Sequence, residues 1–161
     1  YEKYIFGSAE VVGLMCLKVF CNGDANEYNS LRHAAMKLGS AFQKVNFLRD
    51  IKADHLELGR MYFPNMNFDC FTEEDKSLIE QEIKAEFDEA LVGIAKLPPC
   101  AKKGVYLAYI YYKSLFRKIQ EIPAKHIMEK RVRVPDFQKA LLMLNTFFVP
   151  QTSGKLSAHV G

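Results

Sequence analysis

The chain has 161 residues, 49% of them hydrophobic, which is enough for one domain with a sizeable core. Its formal net charge of +3 is too small to argue for a nucleic-acid partner, and its Lys and Arg residues are interleaved with Glu and Asp instead of forming a basic tract. Cys16, Cys21, Cys70 and Cys100 make no C-x-x-C pair and are not spaced as zinc partners of the histidines, so free thiols in a reducing cytoplasm are expected.

From Tyr1 to Phe20, Ile5, Ala9, Val12, Leu14 and Val19 recur at helical spacing, and Asn22, Gly23 and Asp24 come next with turn chemistry. This predicts a first helix, on which Tyr4, Ser8 and Val12 form one stripe. Gly7 and Gly13 would let a neighbouring helix or a ligand approach closely. Glu2, Lys3, Glu10 and Lys18 do not fit a signal-peptide layout, and no apolar run reaches the roughly twenty residues that span a bilayer. The expectation is a cytoplasmic protein, at most peripheral to a membrane.

A second, long helix is predicted from Glu27 to Leu58. Leu31, Ala34, Ala35, Leu38 and Phe42 mark its apolar side, and Gly39 and Ala41 leave room for another helix or a substrate tail. Gln43, Asn46, Asp50 and Asp54 recur at steps of three and four residues and share one face. Two carboxylates one turn apart repel unless a cation sits on them. An Asn oxygen with Asp carboxylates is the ligand set that a hard octahedral Mg²⁺ ion prefers, with Mn²⁺ as the alternative. Asn46, Asp50 and Asp54 are therefore the candidate metal ligands, and Asp50 and Asp54 the candidate catalytic carboxylates. The competing reading makes both aspartates solvated residues neutralised by Arg49, Lys52 and Arg60, and the D-x-x-x-D spacing by itself favours that reading. Gly59 is the expected stop, with Arg60, Tyr62 and Pro64 beyond it in a non-helical stretch. A loop arginine beside metal-binding aspartates suits a diphosphate, since a guanidinium can bond two of its oxygens at once.

Thr72 with Glu73, Glu74 and Asp75 reads as an N-cap and an acidic first turn of a helix that runs to about Lys96. Leu78, Ile79, Ile83, Phe87, Leu91 and Ile94 are expected to face inward, and the charges from Glu80 to Glu89 to form a solvated face. Pro98 and Pro99 break the chain. The next helix, Cys100 to about Ile122, carries Tyr106, Tyr109, Tyr111, Tyr112 and Phe116, read mainly as core. A last helix is predicted from Pro135 to about Phe148, with a frayed tail after it. No strand pattern, internal repeat or G-x-G-x-x-G loop occurs, so the fold class is all-α, a single helical domain over 1–161.

The order Q-x-x-N-x-L-R-D-x-x-x-D and then G-R-x-Y-F-P, within Leu38 to Pro64, resembles the second aspartate-rich motif of the squalene/phytoene synthase family. YIFGSAEVVG from Tyr4 is similar to that family's Y-x-Y-x-V-A-G-x-V-G segment, departing from it at Phe6, Ser8 and Glu10. YKSLFRKI from Tyr112 and RVRVPDFQK from Arg131 are similar to its later helices. The resemblance runs in order along most of the chain and is strongest to bacterial phytoene synthases. It implies the isoprenoid synthase fold, with this chain as its C-terminal part and a first aspartate-rich motif lying upstream.

The same resemblance implies head-to-head joining of two prenyl diphosphates by way of a cyclopropylcarbinyl diphosphate. Metal held by Asn46, Asp50 and Asp54 would neutralise charge on the leaving group. Arg49, Arg60, Tyr62 and Tyr112 would contact the diphosphate, Gln43 would position the reacting end, and Tyr4, Ser8 and Val12 would lie against the prenyl chain. Phytoene formed by proton loss is the expected product, without NADPH, and squalene or dehydrosqualene the alternative. A head-to-tail synthase would usually carry D-D-x-x-D, whereas Arg49 precedes Asp50 here, and G-R-x-Y-F-P is not a terpene-cyclase signature. A catalytically silent helical interaction domain is the alternative of another class.

Overall fold

The structure, a computed structural model, describes residues 1–52, 63 and 71–127. Among them every regular element is helical: α1 (Glu2–Ile5), a π-helical turn (Phe6–Glu10), α2 (Val11–Phe20), α3 (Ala25–Lys52), α4 (Glu73–Lys96), α5 (Pro99–Gln120) and α6 (Ala124–Ile127). The all-α expectation holds. The end of the long helix predicted to reach Leu58, the helix predicted from Pro135 and the tail lie outside the described residues.

Local chemistry sets the boundaries. Asn22 and Gly23 take positive φ values of 45° and 90°, turning the chain after α2. Asp24 then accepts from the backbone N–H groups of Asn26 and Glu27 at 2.8 and 2.9 Å, so α3 starts at Ala25, ahead of the predicted Glu27. Thr72 forms a full capping box with Asp75, each side chain accepting from the other's backbone N–H at 3.1 Å. Pro99 opens α5, where its missing N–H leaves no helical bond unmade.

Helix α3 is the centre of the molecule and packs against α2, the π turn, α4, α5 and α6. The first helical segment runs antiparallel to it, with Gly13 against Ala35 and Gly39 against Ala9. Helix α4 is also antiparallel, with Glu89 bonded to His33, Glu86 to Ser40 and Glu82 to Lys44. Helix α5 runs beside α3 in the same direction and is tied to α4 at its far end, where Lys76 Nζ donates to the Gln120 carbonyl at 3.1 Å. Leu48, Ile83, Phe87, Leu115 and Ile119 fill the space between them.

Two expectations about α4 are corrected. Leu78 is 61% exposed, because it lies about 100° round the helix from the buried Ile79. Glu86, read as part of a solvated charged face, is buried at 4% exposure, and so is Lys76, for which the sequence carried no expectation. They are drawn inward by partners on α5 and α3 that no local pattern reveals. Among the described residues no helix is long and apolar enough to cross a membrane.

The approach of the first segment to α3 depends on absent side chains. A Cβ at Gly39 would sit 2.6 Å from the Ala9 carbonyl oxygen and 3.2 Å from Glu10 Cα, both backbone atoms that cannot swing aside. Gly39→Ala is therefore expected to destabilise the protein by about 1–3 kcal/mol in urea denaturation. Gly7, expected to permit a close approach, has no neighbour within 4 Å of such a Cβ. Gly7→Ala should leave the urea midpoint unchanged or raise it.

Candidate functional site

The first segment, α3, the end of α4 and the start of α5 line a half-open cavity of about 580 Å³. Its walls are apolar and mostly small, with Ala9 and Val12 on one side, Ala35, Leu38 and Phe42 on α3, and Gly104 and Ala108 on α5. Gly93 on α4 lies so close to α3 that a Cβ there would collide with that of Ala34. Polar groups enter the lining at Ser8 and Gln43, and the thiols of Cys16 and Cys100 also face it. Cys16, Cys21 and Cys100 are free, as expected, and Cys70 lies outside the described residues.

At the Gln43 end the character changes. Asn46 and Asp50 continue the same face of α3 by one and two further turns. Tyr112 of α5 stacks on Phe42 with ring centroids 3.9 Å apart, and its hydroxyl donates to Asn46 Oδ1 at 3.4 Å. Arg49 grips Asp50: its Nε donates to both carboxylate oxygens at 3.1 Å and its Nη2 to Oδ2. That hydrogen bonding raises the guanidinium's pKa, outweighing a partial burial that opposes the charge. The cavity thus opens onto an oxygen-rich cluster with a cation beside it.

A second polar cluster lies on another face of α3 and was missed by sequence reasoning. Lys44 Nζ sits 2.6 Å from Glu82 Oε1 and 2.7 Å from Glu86 Oε1, and Ser40 Oγ donates to Glu86 Oε1 at 2.9 Å. The side chains of Lys44 and Glu86 are only 4% and 6% exposed. Tyr1 is pushed up in pKa by burial and by the charges of Glu82 and Glu86. Nothing at short range marks this network, because its members lie 38 to 46 residues apart.

The squalene/phytoene synthase family model matches residues 1–138. The chain belongs to that family. The carrot (Daucus carota) "Phytoene synthase, chloroplastic" is 30% identical, over 73% of this chain and 33% of its own length. The daffodil (Narcissus pseudonarcissus) "Phytoene synthase, chloroplastic" is 28% identical, over 73% of this chain and 31% of its own length. The chain thus spans about a third of the length of these relatives.

The residues that the family resemblance singled out fall into separate groups. Ser8, Val12 and Gln43 line the cavity. Asn46, Arg49, Asp50 and Tyr112 cluster beyond its Gln43 end. Tyr4 is 49% exposed and does not line the cavity, its ring lying 5.9 Å from that of Phe47. Asp54, Arg60 and Tyr62 lie outside the described residues. Among the described residues no three His, Cys, Asp or Glu side chains gather into a metal site. Asn46 and Asp50 are nevertheless hard oxygen donors one turn apart, which fits Mg²⁺ in kind.

The buried groups can be tested directly. Lys44→Met leaves Glu86 buried with only the Ser40 hydroxyl at 2.9 Å and the more distant Lys37 ammonium at 3.6 Å, and should destabilise the protein by about 1–3 kcal/mol in urea denaturation, with much of the loss recovered when Glu86→Leu is added. Tyr109 is pushed up from 10.0 to about 12, chiefly by burial. The unfolded phenol loses its proton first, so Tyr109's contribution to stability is fully present below pH 10.0 and is lost as pH rises toward about 12. Tyr109→Phe should flatten that alkaline loss when unfolding is monitored by circular dichroism across this range.

Proposed function

We propose that this chain forms part of a phytoene synthase-like prenyltransferase that joins two prenyl diphosphates, of the geranylgeranyl type, head to head in carotenoid biosynthesis. The observation that carries the reading is an apolar cavity of about 580 Å³ lined at one end by Gln43, with Asn46 and Asp50 following Gln43 on the same face of α3 and Tyr112 bonded to Asn46. A prenyl diphosphate has the same two-part chemistry, a hydrocarbon chain ending in a polyanion. The chain would lie among the small residues of α2, α3 and α5, and the diphosphate at the α3–α5 polar end.

In this reading Asn46 and Asp50 would hold Mg²⁺, with Asp54 completing the D-x-x-x-D pair. When bound, the metal would neutralise charge on the departing diphosphate. Tyr112 holds the Asn46 amide oxygen by its hydroxyl, and Phe42 holds the Tyr112 ring by stacking, so that the donor set is aimed before substrate arrives. Arg49 occupies the Asp50 carboxylate here, and would turn its donors to a diphosphate oxygen once Asp50 faces the metal. Arg60 and Tyr62 would add donors from the loop. Gln43, at the border of cavity and cluster, would position the carbon that loses its diphosphate. In the complete enzyme the apolar walls would limit the water that could capture the allylic cation, and the aromatic faces of Phe42 and Tyr112 would favour a cation near them. The condensation gives a cyclopropylcarbinyl diphosphate, whose ionisation, rearrangement and proton loss yield the hydrocarbon without a nicotinamide.

The full-length enzyme with Mg²⁺ and geranylgeranyl diphosphate is expected to form phytoene, identified by mass, with NADPH absent. Squalene formed from farnesyl diphosphate only when NADPH is supplied would overturn the product assignment. Asp50→Asn should lower turnover by about 10²–10³-fold or more while the circular dichroism spectrum stays helical. Near-normal turnover in that variant would remove Asp50 from the mechanism.

A further inference from the structure

Gly13, Gly39, Gly93 and Gly104 all line the cavity. Glycine is unfavourable inside a helix, so each position needs a reason. For the first three the reason is contact, since an added Cβ would meet Ala35 or Ala9 backbone, or the Ala34 side chain. Gly104 is different. A Cβ there meets nothing within 4 Å, and its backbone is not in the positive-φ region that favours glycine. Neither helix packing nor chain geometry among the described residues calls for it.

Its place on α5 supplies a reason. Cys100, Gly104, Ala108 and Tyr112 recur every four residues and form one stripe. The first three face the cavity, and Tyr112 bonds to Asn46 at the polar end. Eight residues at the helical rise place Gly104 about 12 Å from Tyr112 along the axis. Phe20, Leu31, Leu97 and Cys100 line the space beyond it.

We propose that Gly104 sets the length of hydrocarbon chain that the cavity accepts, its missing side chain keeping open the passage from the polar end to the deep end. This rests on the prenyl diphosphate reading of the site. A Cβ at position 104 would meet no neighbour within 4 Å, so a larger side chain there would extend into the passage. Chains that must reach past it are rejected, and chains that end before it are kept.

The test uses the full-length enzyme with Gly104→Ala, Gly104→Leu and Gly104→Phe. Lys103→Leu serves as the control, adding apolar bulk at an exposed neighbouring position that does not line the cavity. Two readouts are compared: kcat/KM for farnesyl and geranylgeranyl diphosphate, and the thermal shift given by farnesol and geranylgeraniol, which needs no turnover. The Leu and Phe variants should lose at least about tenfold in the geranylgeranyl-to-farnesyl ratio, by the usual discrimination of a filled apolar pocket. The alcohols should show the same order, and Gly104→Ala and Lys103→Leu should stay near wild type. An unchanged ratio overturns the inference. So does an equal loss for both chains with a lowered melting temperature, which would assign Gly104 to helix packing in the complete enzyme. If the wild type neither turns over nor binds either chain, the functional reading fails first and this inference falls with it.

Discussion

Lys44 has to find its counter-charges inside the protein, because only 4% of its side chain reaches solvent. An ammonium withdrawn from water without partners costs several kcal/mol, so the arrangement of α3 and α4 that brings it to Glu82 and Glu86 is strongly preferred over a slipped or rotated one. Ser40, one turn earlier, bonds the same Glu86 oxygen and fixes the axial register as well as the rotation. Once Lys44 faces α4, the helical step of 100° leaves no freedom for its neighbours: Gln43, Asn46 and Asp50 must point roughly 100–160° away. There Gln43 meets the cavity, and Tyr112 of α5 closes on Asn46. The geometry of the candidate site is in this sense a consequence of a charge buried on another side of the same helix.

The close approach of the first segment depends on the opposite device. Where Lys44 supplies strong, directional partners, Gly13 and Gly39 supply only the absence of a Cβ, and the backbone of α3 comes near enough to touch Ala9 and to be touched at Ala35. The π turn at Phe6–Glu10 lies at this contact, with Ser8 Oγ donating back to the Tyr4 carbonyl at 2.7 Å. A π turn widens the helix by one residue and so shifts the face that α2 presents to α3. Together with the rotated α3 it leaves a gap between helices lined by small residues, and that gap is the cavity.

How much of this was legible depended on whether the signal was local. Thr72 and Asp75, Pro99, and the Asn22–Gly23–Asp24 turn act through backbone groups within a few residues, and each marked a boundary found close to where the pattern placed it. The oxygen-bearing face of α3 was legible for the same reason, since it needs only helical spacing. Burial of Glu86 and Lys76 was not, because a charge on a helix ordinarily means solvent, and its burial is decided by residues on other helices. Leu78 failed in the mirror image of this: it is apolar, yet the rotation imposed by those buried charges turns it outward. The π turn also left no mark in an apolar pattern whose spacing still read as one helix.

One helix therefore carries both halves of the site's chemistry, and the order along it matters. From Leu31 through Leu38 to Phe42 the cavity-lining residues of α3 are apolar; Gln43 ends that lining, and Asn46 and Asp50 beyond it carry oxygen. The change falls at Phe42 and Gln43, adjacent in sequence, with the Phe42 ring stacked on Tyr112 at the border. Helix α5 changes in step, from Gly104 and Ala108 to Tyr112, because it runs in the same direction as α3. Two parallel helices with matched apolar-to-polar transitions define an axis, and in the proposed reading the prenyl diphosphate would lie along it with its diphosphate at the polar end. Reversing it would place a charged group among Leu31, Leu97 and Phe20, where the only polar side chains among the described lining residues of that end are the Cys16 and Cys100 thiols, and burying an unpaired charge is costly. In the prenyl diphosphate reading, the helix register would therefore favour one orientation of the substrate before any individual hydrogen bond is formed.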